Sequence, residues 1–207
     1  MLTQPLSQLV SDYENYYLTA LDTELYYYKV TNTLDELIKK SIYSDYRFKL
    51  NLGKSDQYCI NSTSLSDINN YCKISNVQIN LLKCIKFEDL LKVMYYPRQI
   101  SLIKGFDPIC IYDICLRFGV NTCVTLNPDS GVKRGIILPD HIYIHNEFQN
   151  GAQNLFKSLS IPYIPKYHPW DNKKEFPYLE LSEFPSPLNK LLPYHIENFL
   201  FIYENQL

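Results

Sequence analysis

The sequence predicts an α+β fold: an N-terminal helical part packed on a small antiparallel or mixed sheet with flanking helices, closed by a proline-rich extended C-terminal segment. Three observations predict it. Apolar residues recur at three- and four-residue steps through much of residues 1–100, the period of a helix with one buried face. Two-residue alternation appears at 46–52 and again at 141–145, the period of a half-buried strand. Seven of the 12 prolines fall between residues 160 and 193, where fixed φ angles and missing N–H groups favour extended chain. No Gly/Ser linker interrupts the chain, so residues 1–207 are expected to form a single domain. A soft subdivision separates a mainly helical 1–100 from a compact α/β part at 101–207.

The elements follow in order. Leu6, Leu9, Val10, Tyr13, Tyr17, Leu21, Leu25 and Tyr28 mark one long amphipathic helix over 6–28. Half of its stripe is tyrosine, whose hydroxyls need partners when buried. Thr33 and Glu36 have capping-box spacing and open a second helix on Leu34, Leu37 and Ile38. Tyr46, Phe48, Leu50 and Leu52 alternate with Arg47, Lys49 and Asn51, predicting a strand. Residues 53–76, rich in Asn, Ser and Asp, read as loop, with 66–73 the one stretch able to wind into a short helix. Val77 to Ile85 fits strand and helix alike. Phe87 to Tyr96 reads as a helix stopped by Pro97.

Asp107 as N-cap, Pro108 at the first helical position and Gly119 just past the end delimit the next helix. Thr122–Leu126 and Val132–Leu138 read as strands of a hairpin around Asn127-Pro128-Asp129-Ser130-Gly131. His141-Ile142-Tyr143-Ile144-His145 alternates strictly. Asn146 to Asn150 make a turn into a helix marked by Gly151, Ala152, Leu155, Phe156 and Leu159. Phe199 to Tyr203 closes the chain as a strand or the end of a short helix.

Hydrophobic residues make up 46% and charged residues 20%, which supplies a core and excludes disorder, collagen-like repeats and a coiled-coil rod. The departure from ordinary usage is 19 Tyr against 1 Trp and 6 Gly. A Lys, Asn, Ile and Tyr bias of the kind an AT-rich genome produces accounts for part of that excess without function. The net charge of −2 argues against a nucleic-acid partner. Basic residues outnumber acidic ones, 16 to 12, only in the middle, over 41–177; Lys133-Arg134 and Lys173-Lys174 are the only basic pairs there. No apolar stretch is long enough to span a bilayer, and no basic region leads into a hydrophobic block at the N-terminus. A cytoplasmic protein is expected, or one exported without a classical signal peptide.

The six cysteines, Cys59, Cys72, Cys84, Cys110, Cys115 and Cys123, show no Cys-x-x-Cys spacing, which argues against a zinc ribbon or thioredoxin motif. Most of them are expected to be reduced core residues.

The candidate catalytic residues are Cys123, His141 and His145. A cysteine nucleophile needs a base, or a cation that lowers its pKa, within hydrogen-bond reach, and neighbouring strands can supply one. Residues i, i+2 and i+4 of a strand share a face, so His141, Tyr143 and His145 are expected on one side and Ile142 and Ile144 on the other. In this chemistry Cys123 attacks a carboxamide carbon, and His141 or His145 activates the thiol and protonates the leaving amine. Backbone N–H groups near Cys123 stabilise the oxyanion. Asp140 and Asp113 are the acidic candidates for orienting the histidine.

Over about 25 of the 207 residues, Asn121-Thr122-Cys123-Val124-Thr125 followed by Ile137-Leu138-Pro139 and His141 or His145 resembles the cysteine–histidine glutamine deamidases. These include the chemoreceptor deamidases and the catalytic domains of cytotoxic necrotizing factors. The resemblance implies a Cys at a strand start and a His after a hairpin. The chain departs from that pattern in having no Gly or Ser directly before the cysteine.

A metal site would combine His141 and His145 with Glu147, Asp140 or His168. In a straight strand, however, residues four apart are separated by roughly 13 Å, so neither metal nor cofactor is expected. Asn146 to Gly151, before a helix, could meet an anion but lacks a glycine-rich phosphate loop, so Gly151 reads as a packing residue. Tyr163, Tyr167, His168 and Trp170, with Phe176 to Phe184, could form a docking surface.

Two function classes result, the first preferred for the placement of its site and the second its alternative. One is a bacterial effector or toxin-type enzyme using a Cys–His pair for amide hydrolysis or deamidation of a protein target. The other is a non-catalytic binding protein of the immunity, antitoxin or adaptor type acting through a tyrosine-rich surface. Both imply a protein partner or substrate.

Overall fold

The computed structural model describes residues 2–43, 62–103, 107–127, 132–133 and 135–207. The strand expected over 46–52, Cys59 and the 128–131 turn lie outside them. Among the described residues the protein is mostly helical, which corrects the α+β expectation. Its β pairings among those residues are two short antiparallel ladders and one isolated antiparallel bridge, Lys166 with Tyr178. β1 (Thr125–Asn127) pairs with β2 (Val132–Lys133), and β3 (Ile142–Tyr143) pairs with β4 (Tyr178–Leu179). Ladders this short give no sheet face on which helices could pack, so helix-on-helix contacts form the cores.

The chain divides into two compact units, residues 1–20 with 139–207, and residues 21–138. The division falls inside the N-terminal helical run. That run is α1 (Leu6–Tyr13), a π-helical turn (Glu14–Leu18) and α2 (Thr19–Lys29). The stripe read from the sequence is correct at Leu6, Leu9, Val10, Tyr13, Leu25 and Tyr28, which are buried. The π turn, which adds a residue to the helical register, was not legible.

In the first unit, α1 packs with β3, α8 (Asn146–Ser158) and α9 (Pro193–Ile202). Their core includes Leu9, Tyr13, Ile142, Ile144, Leu155, Phe156, Phe199 and Leu200. Gly151 sits where α8 crosses α9: a Cβ there would stand 2.1 Å from the Leu200 carbonyl oxygen. α8 begins at Asn146, without the turn expected over 146–150. The proline-rich stretch is extended as expected, with β4 and two short 3-10 turns, until Pro193 opens α9. Phe199 to Ile202 is the end of that helix.

The second unit is built around α7 (Pro108–Gly119), which is apolar on nearly all sides and therefore buried. The Asp107 side chain caps it by accepting from Ile109 N at 3.0 Å. α3 (Leu34–Ile42), capped by Thr33 as its spacing predicts, and α6 (Phe87–Gln99) pack on α7. α6 does not stop at Pro97 but carries it within its last turn. α4 (Ser62–Cys72) corrects the loop expectation, and α5 (Ser75–Lys83) resolves the ambiguous stretch as helix. The buried positions of α4 are Ser64, Ile68, Asn69 and Cys72, a helical stripe written mostly in small or polar residues. Among the described residues, no helix is long and apolar enough to cross a membrane.

Candidate functional site

Cys123 belongs to the second unit, and His141 and His145 belong to the first. Each environment is therefore built from its own unit.

Cys123 follows the C-terminus of α7, before the start of β1. Its thiol is half-buried, and its Sγ lies 4.0 Å from Thr122 Oγ1. The local chain is held by Asn121, which is fully buried. Asn121 Nδ2 donates to the carbonyls of Tyr28 at 2.7 Å, Thr31 at 2.8 Å and Lys29 at 3.3 Å, where α2 ends. Asn121 Oδ1 accepts from Cys123 N at 3.1 Å and Val124 N at 2.9 Å. A carboxamide oxygen thus occupies the two amides that an oxyanion hole at Cys123 would use. Cys72, Cys84, Cys110 and Cys115 are buried thiols, as expected of reduced core residues.

In the first unit the alternation of 141–145 survives although only Ile142 and Tyr143 are strand. Ile142 and Ile144 enter the core. His141, Tyr143 and His145 form a row of rings on the other side, with Tyr143 6.4 Å from His141 and 6.3 Å from His145. The row continues through the returning chain. The Tyr178 ring stacks on His141 at 4.4 Å and on His168 at 4.5 Å, and Trp170 stacks on His168 at 5.4 Å. Tyr143 OH and His168 Nε2 share a hydrogen bond of 3.1 Å.

The two candidate histidines differ sharply. His145 is buried among Tyr143, Phe148 and Phe176, and burial pushes its pKa down to about 3. Water removed from around an imidazole disfavours its charged form, so His145 is neutral at ordinary pH and a poor base. His141 keeps 20% of its side chain exposed, and its Nδ1 lies 3.0 Å from Glu180 Oε2. A carboxylate on Nδ1 fixes ring and tautomer and leaves Nε2 to exchange protons. Asp140, the acid suggested by its position, lies 3.8 Å from His141 Nε2 and is exposed. Asp113 pairs with Arg117 at 3.8 Å in the second unit. Glu180 was missed because it arrives from 39 residues downstream, through the pairing of β3 with β4. Glu180 is itself held by a reciprocal cap with Glu183, whose Oε2 accepts from Glu180 N at 2.6 Å.

Among the described residues, no group of three His, Cys, Asp or Glu side chains is placed to hold a metal ion. Trp170 and Tyr163, read as docking residues, turn onto the body: Trp170 against His168 and Phe176, Tyr163 against Phe156. Burial pushes the Tyr163 hydroxyl pKa up to about 12. Tyr167 stays exposed.

Further exposed tyrosines include Tyr16 in the first unit and Tyr96 in the second. In the second unit Tyr26 is 60% exposed, and Val30, one helical turn on, is also exposed. Tyr27 is exposed beside them, with Lys40 Nζ 4.3 Å from its ring centroid. Compared with protein families, curated proteins and solved structures, the chain matches none.

Proposed function

We propose that this chain is a non-catalytic protein-binding module of the adaptor, antitoxin or immunity kind, working through exposed tyrosines. The observation that carries it is the aromatic edge of Tyr26, Tyr27 and Val30 at the end of α2. Tyrosine offers large rigid contact area with a polar tip, at low entropy cost, and interfaces are enriched in it. Lys40 over the Tyr27 ring holds one of these side chains in place before any partner arrives. The engagement of the Cys123 and Val124 amides by Asn121 supports a binding role over catalysis.

The test is photo-crosslinking in cells with p-benzoylphenylalanine at position 26, with exposed Ser182 as the control position. A discrete adduct with one protein at position 26, not formed from 182, is the expected result. Equal, diffuse labelling from both positions would refute the proposal.

A further inference from the structure

The second unit carries a groove of about 440 Å³. One wall is the C-terminal half of α5 with the residues that follow: Ile79, Leu82, Lys83, Cys84 and Ile85. The other is the extended segment Gly135, Ile136 and Ile137. This second wall is fixed. Ile137 N donates to Gly119 O at 2.8 Å, and the missing side chain of Gly119 lets the two backbones approach. The groove opens between three exposed isoleucines, Ile79, Ile85 and Ile136, with Ile85 at 82% exposure. Apolar side chains gathered around one concavity and left in water mark a docking site more than scattered exposed residues do.

Charge specifies the occupant. The chain as a whole is acidic, at −2. The stretches that supply both walls are not. Residues 79–86 contain Lys83 and Lys86 with no Asp or Glu, and residues 135–137 carry no charge. Among the described residues the charged side chain lining the groove is Lys83, and exposed Lys86 follows Ile85. Apolar depth with two lysines on one wall is complementary to an apolar segment flanked by carboxylates.

We propose that this groove docks an amphipathic acidic segment of another protein, its apolar side chains seated between Ile79, Ile85 and Ile136 and its carboxylates beside Lys83 and Lys86. The inference rests on the chain being a binding protein. A concave, helix-walled site suits a protruding peptide, whereas a bilayer presents a flat surface.

The experiment uses the full chain and two fluorescein-labelled helical peptides with one Leu/Ile stripe, flanked by Glu in one and by Lys in the other. Anisotropy titration should show the Glu peptide binding at least about tenfold more tightly, with the preference shrinking at high salt. Ile85→Asp should abolish binding of the Glu peptide, and Lys83→Glu should reverse the preference. Both positions are exposed, so unchanged urea midpoints certify that the variants are folded. Equal binding of the two peptides, binding of neither, or indifference to Ile85→Asp overturns the proposal. So do phosphatidylserine vesicles that co-sediment with the parent chain but not with Ile85→Asp. Loss of this interaction with position-26 crosslinking intact overturns the groove alone and leaves the proposed function standing.

Discussion

Replacing Asn121 with alanine should be among the most damaging single changes in the second unit. The side chain makes five hydrogen bonds, all to backbone. Its two shortest donated bonds, 2.7 Å to Tyr28 O and 2.8 Å to Thr31 O, are in buried surroundings, and so is the 2.9 Å bond from Val124 N. A buried backbone group that loses its partner costs about 1–3 kcal/mol. Three such groups, partly relieved by water entering the vacated space, give about 3–5 kcal/mol, a large part of the stability of an ordinary domain. Asn121→Asp separates the two halves of the clasp. It keeps an acceptor for the Cys123 and Val124 amides but turns a carboxylate toward three carbonyl oxygens. It should therefore be as destabilising as alanine at pH 7 and recover in part at acid pH, where a protonated carboxyl can donate. Urea unfolding at both pH values measures this. A loss below about 1 kcal/mol for Asn121→Ala, or an Asn121→Asp variant as stable as the parent at pH 7, would refute the clasp.

Two further predictions concern backbone approach and buried charge. Gly119→Ala and Gly151→Ala each place a Cβ against a carbonyl oxygen, at 2.2 Å from Ile137 O and 2.1 Å from Leu200 O. Each should cost about 1–3 kcal/mol by thermal or urea unfolding, while Gly135→Ala, whose Cβ meets open space, should be close to neutral. His145 has a folded pKa of about 3, below its ordinary 6.5, because burial disfavours its charge. The unfolded chain therefore binds the extra proton between those values. Stability is full above about pH 6.5 and falls with acid at up to about 1.4 kcal/mol per pH unit. His145→Phe should flatten the fall in urea midpoint between pH 7 and pH 5; an unchanged slope would count against burial of a neutral imidazole.

Local chemistry was legible in the sequence, and non-local pairing was not. The Asp107–Pro108 start of α7 and the Thr33 cap of α3 depend on residues within one turn, and both are present. The alternation of 141–145 did sort isoleucines from rings. It overstated the strand, because Ile142 and Tyr143 pair with a two-residue piece at 178–179. α4 was misread because its buried face is written in Ser64, Ile68, Asn69 and Cys72, residues that also compose loops. The role of Asn121 was not legible, since nothing nearby in sequence announces three carbonyls arriving from the end of α2. Glu180 was invisible for the same reason. Cys123 and the histidines were expected on neighbouring strands; Cys123 lies in one compact unit and His141 and His145 in the other.

The central claim is that this chain binds through Tyr26 and Tyr27 and not through Cys123. The most direct measurement is the affinity of the protein captured at position 26 for three purified chains: parent, Tyr26→Ser/Tyr27→Ser, and Cys123→Ser. Binding lost at least about tenfold in the tyrosine variant and unchanged in the cysteine variant is the predicted result. Binding that survives the tyrosine changes, with covalent alteration of the captured protein that disappears in Cys123→Ser, would contradict it.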